Sequence, residues 1–481
     1  MSNSPAEPGI RAAAAPILFL LAVILYGLIW RPLGAGQSPL PLEIVFGASA
    51  VFALAQLLLM GRSWPEIESS IVRNLSRATP AIFILFAIGA IIGSWMVSGT
   101  LPMLVCYGLK ILNPDYIYLA AFLVPALFSM LTGTSWGSTG TIGVVIVGMA
   151  SAVGANLGIT AGAVIGGAFF GDKLSPLSDT TNIAALAADV DLYDHIRSMT
   201  VTTGPAAVLA AVAYTVLGFT HPAAASEGTD GSQVVALTSA LEEMFVFNPL
   251  LGLPPIIVLV GSLRRMPPIP TLLASIASAF LLALGFQRFD LSAVAASLVT
   301  GFDSAMAVWM SDVPATAVEL VDRGGVYSMR EAVFVAFFVF FFIGIIDVID
   351  AMPRLVDRVF AFANGPRVLV LSALGAAGLT NAMTSNQYAT SFIVGDAFRR
   401  RFDLLKIPRS VLSRSLEDYG TMIESLVPWH ATSVFVAAAL GVPWSDYAPW
   451  QLLSLLNILI APLFAVLGIG LFQGSAAKSR P

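Results

Sequence analysis

Long apolar runs alternate with short polar interruptions along most of this chain. A helix needs roughly 17–25 mostly apolar residues to cross a bilayer. Runs of that kind, some shortened or cut by glycine and proline, occupy residues 16–30, 42–60, 80–97, 116–131, 142–158, 160–170, 200–219, 248–263, 270–286, 331–349, 367–379, 426–440 and 450–472. Residues 101–112 and 291–310 are also apolar and read as spans, interfacial helices or gates. The pattern predicts roughly 11–13 transmembrane segments in an all-α polytopic membrane protein, with two pieces that enter and leave on the same side. The first run follows Arg11 and reads as an uncleaved span rather than a signal peptide, because no cleavage box follows it.

The polar interruptions carry the chemistry. In the first half, Thr132-Gly-Thr-Ser-Trp-Gly-Ser-Thr139 breaks an apolar stretch. About forty residues later comes Gly171-Asp-Lys-Leu-Ser-Pro-Leu-Ser-Asp-Thr-Thr-Asn182, which follows a segment with no charge. In the second half, Thr380-Asn-Ala-Met-Thr-Ser-Asn-Gln387 is followed at similar spacing by Ser415-Leu-Glu-Asp-Tyr-Gly-Thr421 and Ser425-Leu-Val-Pro-Trp-His430. Pro176 and Pro428 each remove a backbone donor and clash with the preceding turn, so both elements are expected to be broken helices. Weakly similar halves with broken segments at matching positions point to a transport site between two repeats.

Composition agrees with the pattern. Of 481 residues, 57% are apolar and only 11% charged, and the mean hydropathy is +0.85. A soluble domain carries roughly 25% charged residues. The formal charge of -5 sets neither topology nor partner. Orientation follows local basic residues instead. Arg62, Arg73 and Arg77 mark one expected cytoplasmic loop, Arg264 and Arg265 another, and Arg399, Arg400, Arg401, Lys406 and Arg409 the strongest. Residues 221–245 have four acidic residues and no Lys or Arg, and read as external. The N-terminus is therefore expected in the cytoplasm, in a multi-pass protein of the inner (plasma) membrane. The sequon at Asn74 falls in a basic segment, which argues against glycosylation.

Five divisions follow: N-terminal spans over 1–79, a first transport repeat over 80–220, an external linker over 221–245, a second repeat over 246–475, and a tail over 476–481. The single cysteine, Cys106, and the scattered His195, His221 and His430 form no metal framework. The chain contains no phosphate-binding loop, no HExxH motif and no dinucleotide fingerprint. Neither an enzyme nor a nucleic-acid partner is expected. His195 follows three aspartates and reads as part of a solvated loop.

Ionisable groups within an apolar chain cost free energy unless they pair or serve an ion pathway. Thr134, Ser135 and Thr139 at the first apex, and Thr384, Ser385 and Asn386 at the second, offer the oxygen ligands that hard cations favour. Close helix packing would use the same small residues. Asp172 and Asp179, with Thr180 and Asn182, form the sharper candidate. A carboxylate in a partly dry site can exchange a proton for sodium, so these two are the expected ligands of a transported Na+. Lys173 reads as the structural partner of Asp172, and Asp179 doubles as a candidate helix cap. Glu417 and Asp418 are open between a site role and a salt bridge to Arg414 at the cytoplasmic surface. Asp347 and Asp350 read as interfacial. His430 could carry protons, and a nearby Glu424 would favour its charged form.

The run Gly166-Gly-Ala-Phe-Phe-Gly-Asp-Lys-Leu-Ser-Pro-Leu-Ser-Asp-Thr-Thr-Asn182 strongly resembles the NhaC-type sodium/proton antiporters. So do His195-Ile196, Thr202-Thr203, residues 133–141, residues 412–421 and Leu426-Val-Pro-Trp429. The resemblance implies the ion-transporter superfamily fold, with two inverted repeats, each holding a re-entrant hairpin and a broken helix. It also implies alternating-access exchange of Na+ for H+, without a cofactor. The family includes exchangers of malate and sodium-lactate, so an organic-anion exchanger is the alternative. Expected partners are the lipid bilayer, small cations and, on the alternative, small carboxylates; a homodimer is compatible with both. This chain departs from the family pattern at Tyr419, at the extra carboxylate Glu424, and at His430, where asparagine is usual.

Overall fold

The computed structural model describes residues 9–224 and 231–471. Among the described residues, all regular structure is helical. Among the described residues, nine helices are long and apolar enough to cross a membrane, and up to twelve if each of three bent pairs counts as one span. The expected all-α polytopic architecture is thus observed.

The N-terminal spans are α1 (Ile10–Ala35), α2 (Leu42–Leu59) and α3 (Trp64–Val97). Arg73 and Arg77 lie on α3 rather than in a loop, because the helix already begins at Trp64, well before the apolar run. Asn74 is buried on that helix and donates to Asp347 Oδ2, so its sequon has no accessible side chain. Arg73 pairs with the same carboxylate at 3.1 Å, which agrees with an interfacial Asp347.

A short helix, α4 (Thr100–Ile111), leads to the first hairpin. Its legs are α5 (Pro114–Thr132) and α6 (residues 135–152), the latter opened by a π-helical turn at Thr139–Gly143. Tyr118 Oη accepts from the Asn156 N–H at 2.9 Å and donates to the His221 carbonyl at 3.1 Å. The base of the outgoing leg therefore sits beside the end of the returning leg, and the hairpin enters and leaves on one side. The run 142–158 is this returning leg, not a span.

The broken helix follows as α7 (Leu157–Leu174) and α8 (Asp179–Ala188), and then α9 (Leu192–Thr220). Helices α5 and α7 pack backbone against backbone. A Cβ on Gly167 would lie 2.0 Å from the Phe122 carbonyl oxygen. Small residues permit this approach, and in lipid, close packing is a main source of helix association.

The connecting region holds α10 (Gly231–Met244), α11 (Leu253–Leu263), α12 (Pro268–Phe286), the short α13 (Leu291–Val299) and α14 (Ala315–Val321). The expected external linker thus includes a helix, α10, while its residues 225–230 lie outside the described ones. Residues 291–310 do not span, since α13 has only 9 residues. Then come α15 (Arg330–Ile346) and α16 (Ala351–Val359).

The second hairpin comprises α17 (Pro366–Thr384) and α18 (Gln387–Leu404). Arg401 on α18 donates to the carbonyls of Phe360 and Ala361, just ahead of α17, so this hairpin also starts and ends on one side. The second broken helix is α19 (Arg409–Asp418), a 3-10 stretch Thr421–Leu426, and α20 (Ala431–Leu440), bent by 48°. The chain closes with α21 (Trp444–Tyr447) and α22 (Leu452–Leu467).

The two broken helices run antiparallel. Arg409, at the start of the second, pairs with Asp189, at the end of the first. At the other end, Asn156, Leu157 and Gly158 line a cavity together with Gly441 and Val442. Their middles meet at Lys173 and Glu417. Halves of equal element order that meet in this sense are inverted repeats, as expected from the family resemblance.

Replacing Gly167 by leucine should abolish the monodisperse peak of the detergent-purified protein, because the intruding side chain has only backbone to displace. Gly204→Ala, where a Cβ meets nothing within 4 Å, should leave the size-exclusion profile unchanged.

Candidate functional site

Each broken helix exposes backbone groups that need partners, and each hairpin apex is shaped to meet them. The first leg of each hairpin ends in the left-handed region, at Gly133 (φ 69°) and Ser385 (φ 45°). The next residue caps the following leg: Thr134 Oγ1 accepts from Gly137 N at 3.1 Å, and Asn386 Oδ1 from Ala389 N at 3.0 Å. Thr132 and Ser138 hydroxyls lie 3.4 Å apart across the first apex, and Thr384 and Thr390 hydroxyls 3.5 Å apart across the second. Gly133 abuts Leu177 and Ser178 within the first break. In the second, Gln387 donates to the Leu416 carbonyl at 2.9 Å and Trp429 to that of Ala382 at 2.7 Å. Ser135 and Thr139 are buried along α6, and Ser385 is buried at its apex.

One constant shift in numbering superposes the details of the breaks. It pairs Pro176 with Pro428, Asp172 with Glu424, Ser178 with His430, and Thr180 with Thr432. Thr180 Oγ1 donates to Asp172 Oδ2 at 3.4 Å, and Thr432 Oγ1 to Glu424 Oε2 at 2.8 Å. Thr181 Oγ1 reaches the Asp172 carbonyl at 3.3 Å, and Ser433 Oγ the Glu424 carbonyl at 3.0 Å. Ser178 caps α8 through Thr181 N, and His430 caps α20 through Thr432 N.

At the centre lies Lys173, fully buried. Its Nζ is 3.1 Å from Asp172 Oδ2 and 2.8 Å from Glu417 Oε2, and it donates to Thr180 Oγ1 at 2.6 Å. These three contacts use the three donors of an ammonium. Lys173 is indeed the partner of Asp172, but it also ties one half of the protein to the other. Glu417 accepts additionally from Thr421 Oγ1 at 2.7 Å. Of the two readings left open for Glu417 and Asp418, the bridge to Arg414 is made by Asp418 alone, at 3.9 Å, and the pair is buried rather than at the surface. The helical register turns Glu417 toward Lys173 and Asp418 toward α9 and α22, where Thr202 Oγ1 and Asn457 Nδ2 donate to it at 2.9 and 3.1 Å.

Asp179 stands apart from this cluster. It is exposed, accepts from Thr180 N at 2.8 Å and from the Tyr388 hydroxyl, and the capping role expected of it belongs to Ser178. Asn182 is exposed too, and closes the break by donating to the carbonyls of Pro176 and Ser178.

His430 and Glu424 do not touch. Asn381 lies between them, 3.3 Å from His430 Nε2 through its Oδ1 and 3.3 Å from Glu424 Oε1 through its Nδ2. His430 Nδ1 accepts from the Thr432 N–H at 3.1 Å, so the ring is held as its neutral Nε2–H tautomer rather than the charged form expected beside a carboxylate.

His195 is a second correction. It is fully buried at the start of α9, with Nδ1 2.9 Å from Ser413 Oγ, because Asp191 caps the helix and the side chain of His195 faces α19. Asn381, Thr432 and Asn457 escaped the sequence reading. Their only signal is a polar residue within an apolar run, which helix packing also produces.

Lys173→Met would leave two buried carboxylates without their cation. A loss of about 3–5 kcal/mol is expected. It should appear as a large drop in the melting temperature of the detergent-purified protein relative to wild type.

The profile of the Na+/H+ antiporter family matches residues 167–469. The chain is 37% identical over 460 residues to an uncharacterised Na+/H+ antiporter of Haemophilus influenzae, covering 95% of this chain and 96% of the relative. It is 32% identical over 476 residues to the Na+/H+ antiporter NhaC of Alkalihalophilus pseudofirmus, covering 98% and 99%. It is also 30% identical over 429 residues to the malate-2H+/Na+-lactate antiporter of Bacillus subtilis, covering 89% and 90%. With its inverted broken helices and buried charge cluster, this multi-pass membrane protein belongs to the Na+/H+ antiporter family, and to its NhaC type.

Proposed function

We propose that the protein exchanges Na+ for H+ by alternating access, and that both ions compete for the buried carboxylates between the two breaks. The observation that carries this reading is the environment of Lys173. All three of its donors are taken by Asp172, Glu417 and Thr180, which leaves none for a substrate carboxylate. The centre offers oxygens, and oxygens suit a hard cation. The organic-anion alternative would need a cation free at this centre, and Arg414 instead faces Asp418 at 3.9 Å and donates to the Ser198 carbonyl at 3.5 Å.

Charge supports the same reading. Four acids, Asp172, Glu417, Asp418 and Glu424, are buried with two bases, Lys173 and Arg414. With every acid ionised, the cluster would carry two unbalanced negative charges. Burying them is costly. A proton or a sodium ion relieves that cost equally well, and where one is bound the other is excluded. This mutual exclusion is what couples opposite fluxes. Asp179, exposed beside Thr180, is the first carboxylate met by a cation approaching the break from its watery side. The apex residues Thr134, Ser135, Thr139, Thr384, Ser385 and Asn386 hold the breaks open and supply further oxygens.

The cytoplasmic side is assigned to the face that carries Arg62, Arg264, Arg399, Arg400, Lys406 and Arg409, by the excess of basic residues in cytoplasmic loops. On that assignment the N-terminus lies in the cytoplasm of an inner-membrane protein, with the first hairpin entering from outside and the second from inside.

In proteoliposomes with an internal pH dye, an imposed Na+ or Li+ gradient should drive proton movement, whereas malate or lactate should not. Proton movement with malate or lactate and none with Na+ would transfer the assignment to organic-anion exchange.

Asp172→Asn and Glu417→Gln should each lower Na+-driven proton flux at least tenfold while leaving the protein monodisperse, since each removes a titratable oxygen ligand with little change of shape. Wild-type flux in both variants across pH 6–9 would sink the coupling scheme.

A further inference from the structure

The shift that pairs Asp172 with Glu424 and Thr180 with Thr432 pairs Lys173 with Ser425. The two breaks therefore build the same cage, a carboxylate with a hydroxyl from the opposite half-helix upon it, but only the first contains an ammonium. Glu424 is 7% exposed. Its partners are the neutral Thr432 Oγ1 at 2.8 Å and Asn381 Nδ2 at 3.3 Å. Among the described residues, no Lys, Arg or His nitrogen pairs with it, and Lys173 is spent on Asp172 and Glu417. Ser425 Oγ, where the lysine stands in the other half, is fully buried and meets no hydrogen-bond partner. Thr380 Oγ1, beside Asn381, is likewise buried and unpartnered.

A buried carboxylate held only by neutral donors, next in sequence to an unpartnered buried hydroxyl, has nothing to balance its charge when ionised and is incomplete without a cation. We infer that Glu424, Ser425 and Thr432 form a second sodium site, in which an exchangeable Na+ takes the place that the tethered ammonium of Lys173 fills in the first half. The three residues supply oxygens of the kind such an ion prefers. Asn381 does not contribute its oxygen, because His430 Nε2–H holds Oδ1 and turns Nδ2 toward Glu424. His430 is thus a positioning residue: it caps α20 through Nδ1 and sets the amide through Nε2. The inference rests on the cation reading for the identity of the ion, and on the geometry of the second break for its place.

The test is the number of sodium ions bound per chain, measured with 22Na+ on the purified full-length protein at saturating salt. Wild type should bind two, one at Glu424 and one on Asp172 Oδ1 and Glu417 Oε1, the buried oxygens that Lys173 does not touch. Glu424→Gln should bind one, and so should Ser425→Lys, which plants in the second half the ammonium already present in the first. Thr432→Val, nearly isosteric, should keep both ions but weaken one about tenfold, the effect of roughly 1.4 kcal/mol. Asp172→Asn should lose the other ion and keep the one at Glu424. If Glu424→Gln and Ser425→Lys bind as many ions as wild type, the second site is wrong. A wild type that binds one ion, lost in Asp172→Asn and kept in Glu424→Gln, would overturn this inference and leave sodium exchange standing. Absence of sodium binding in every protein would overturn both.

Discussion

Lys173 is the contact on which the rest of the arrangement depends. An ammonium with no exposure to water is tolerated only when its charge and all its donors are matched. Asp172 comes from the same helix end, Thr180 from the helix beyond the break, and Glu417 from the other half of the protein. The one side chain therefore fixes the gap between α7 and α8 and docks it against α19. A helix uninterrupted through Pro176 would carry Thr180 away from Asp172, and the three oxygens would not converge.

The inverted relation of the halves explains why these groups meet at all. Antiparallel broken helices bring their middles together while their ends lie on opposite faces, joined at one face by Asp189 and Arg409. That ion pair is partly exposed, and Arg409 holds Asp403 as well. Its charge-assisted hydrogen bonds pull the Asp403 carboxyl below its ordinary value. As a surface pair in water it adds little stability. The register of the breaks is instead secured inside, by hydrogen bonds that recur in each half, from Thr181 to the Asp172 carbonyl and from Ser433 to the Glu424 carbonyl.

The halves differ in the charge they bury. Both keep the proline, the capping residue, the carboxylate and the hydroxyl. One has a lysine and the other a serine. A permanent internal cation on one side and none on the other gives two breaks of similar build and unequal charge. Tyr388 and Trp136 occupy equivalent places as well, yet Tyr388 binds Asp179 while Trp136 stacks on Phe435 at 4.5 Å. The symmetry is one of backbone and cage, not of every side chain.

Much of this was written in the chain. The apolar runs determined a polytopic helical protein, Pro176 and Pro428 determined where two helices break, and the charge-free approach to Asp172 marked the centre, because each effect is local. Tertiary structure decided the pairings. Glu417 and Asp418 are neighbours in sequence, and only the rotation of α19 against two different surfaces sends one to Lys173 and the other to Arg414. His195 looks solvated beside three aspartates, and becomes buried only because α19 covers that side of α9. Asp179, the more prominent carboxylate of its motif, is left outside because Ser178 takes the cap. Asn381 joins Glu424 to His430 across a distance in sequence that no local pattern spans. Charge in a low-dielectric interior is governed by contacts between remote segments, and those contacts exist only once the two halves have folded against each other.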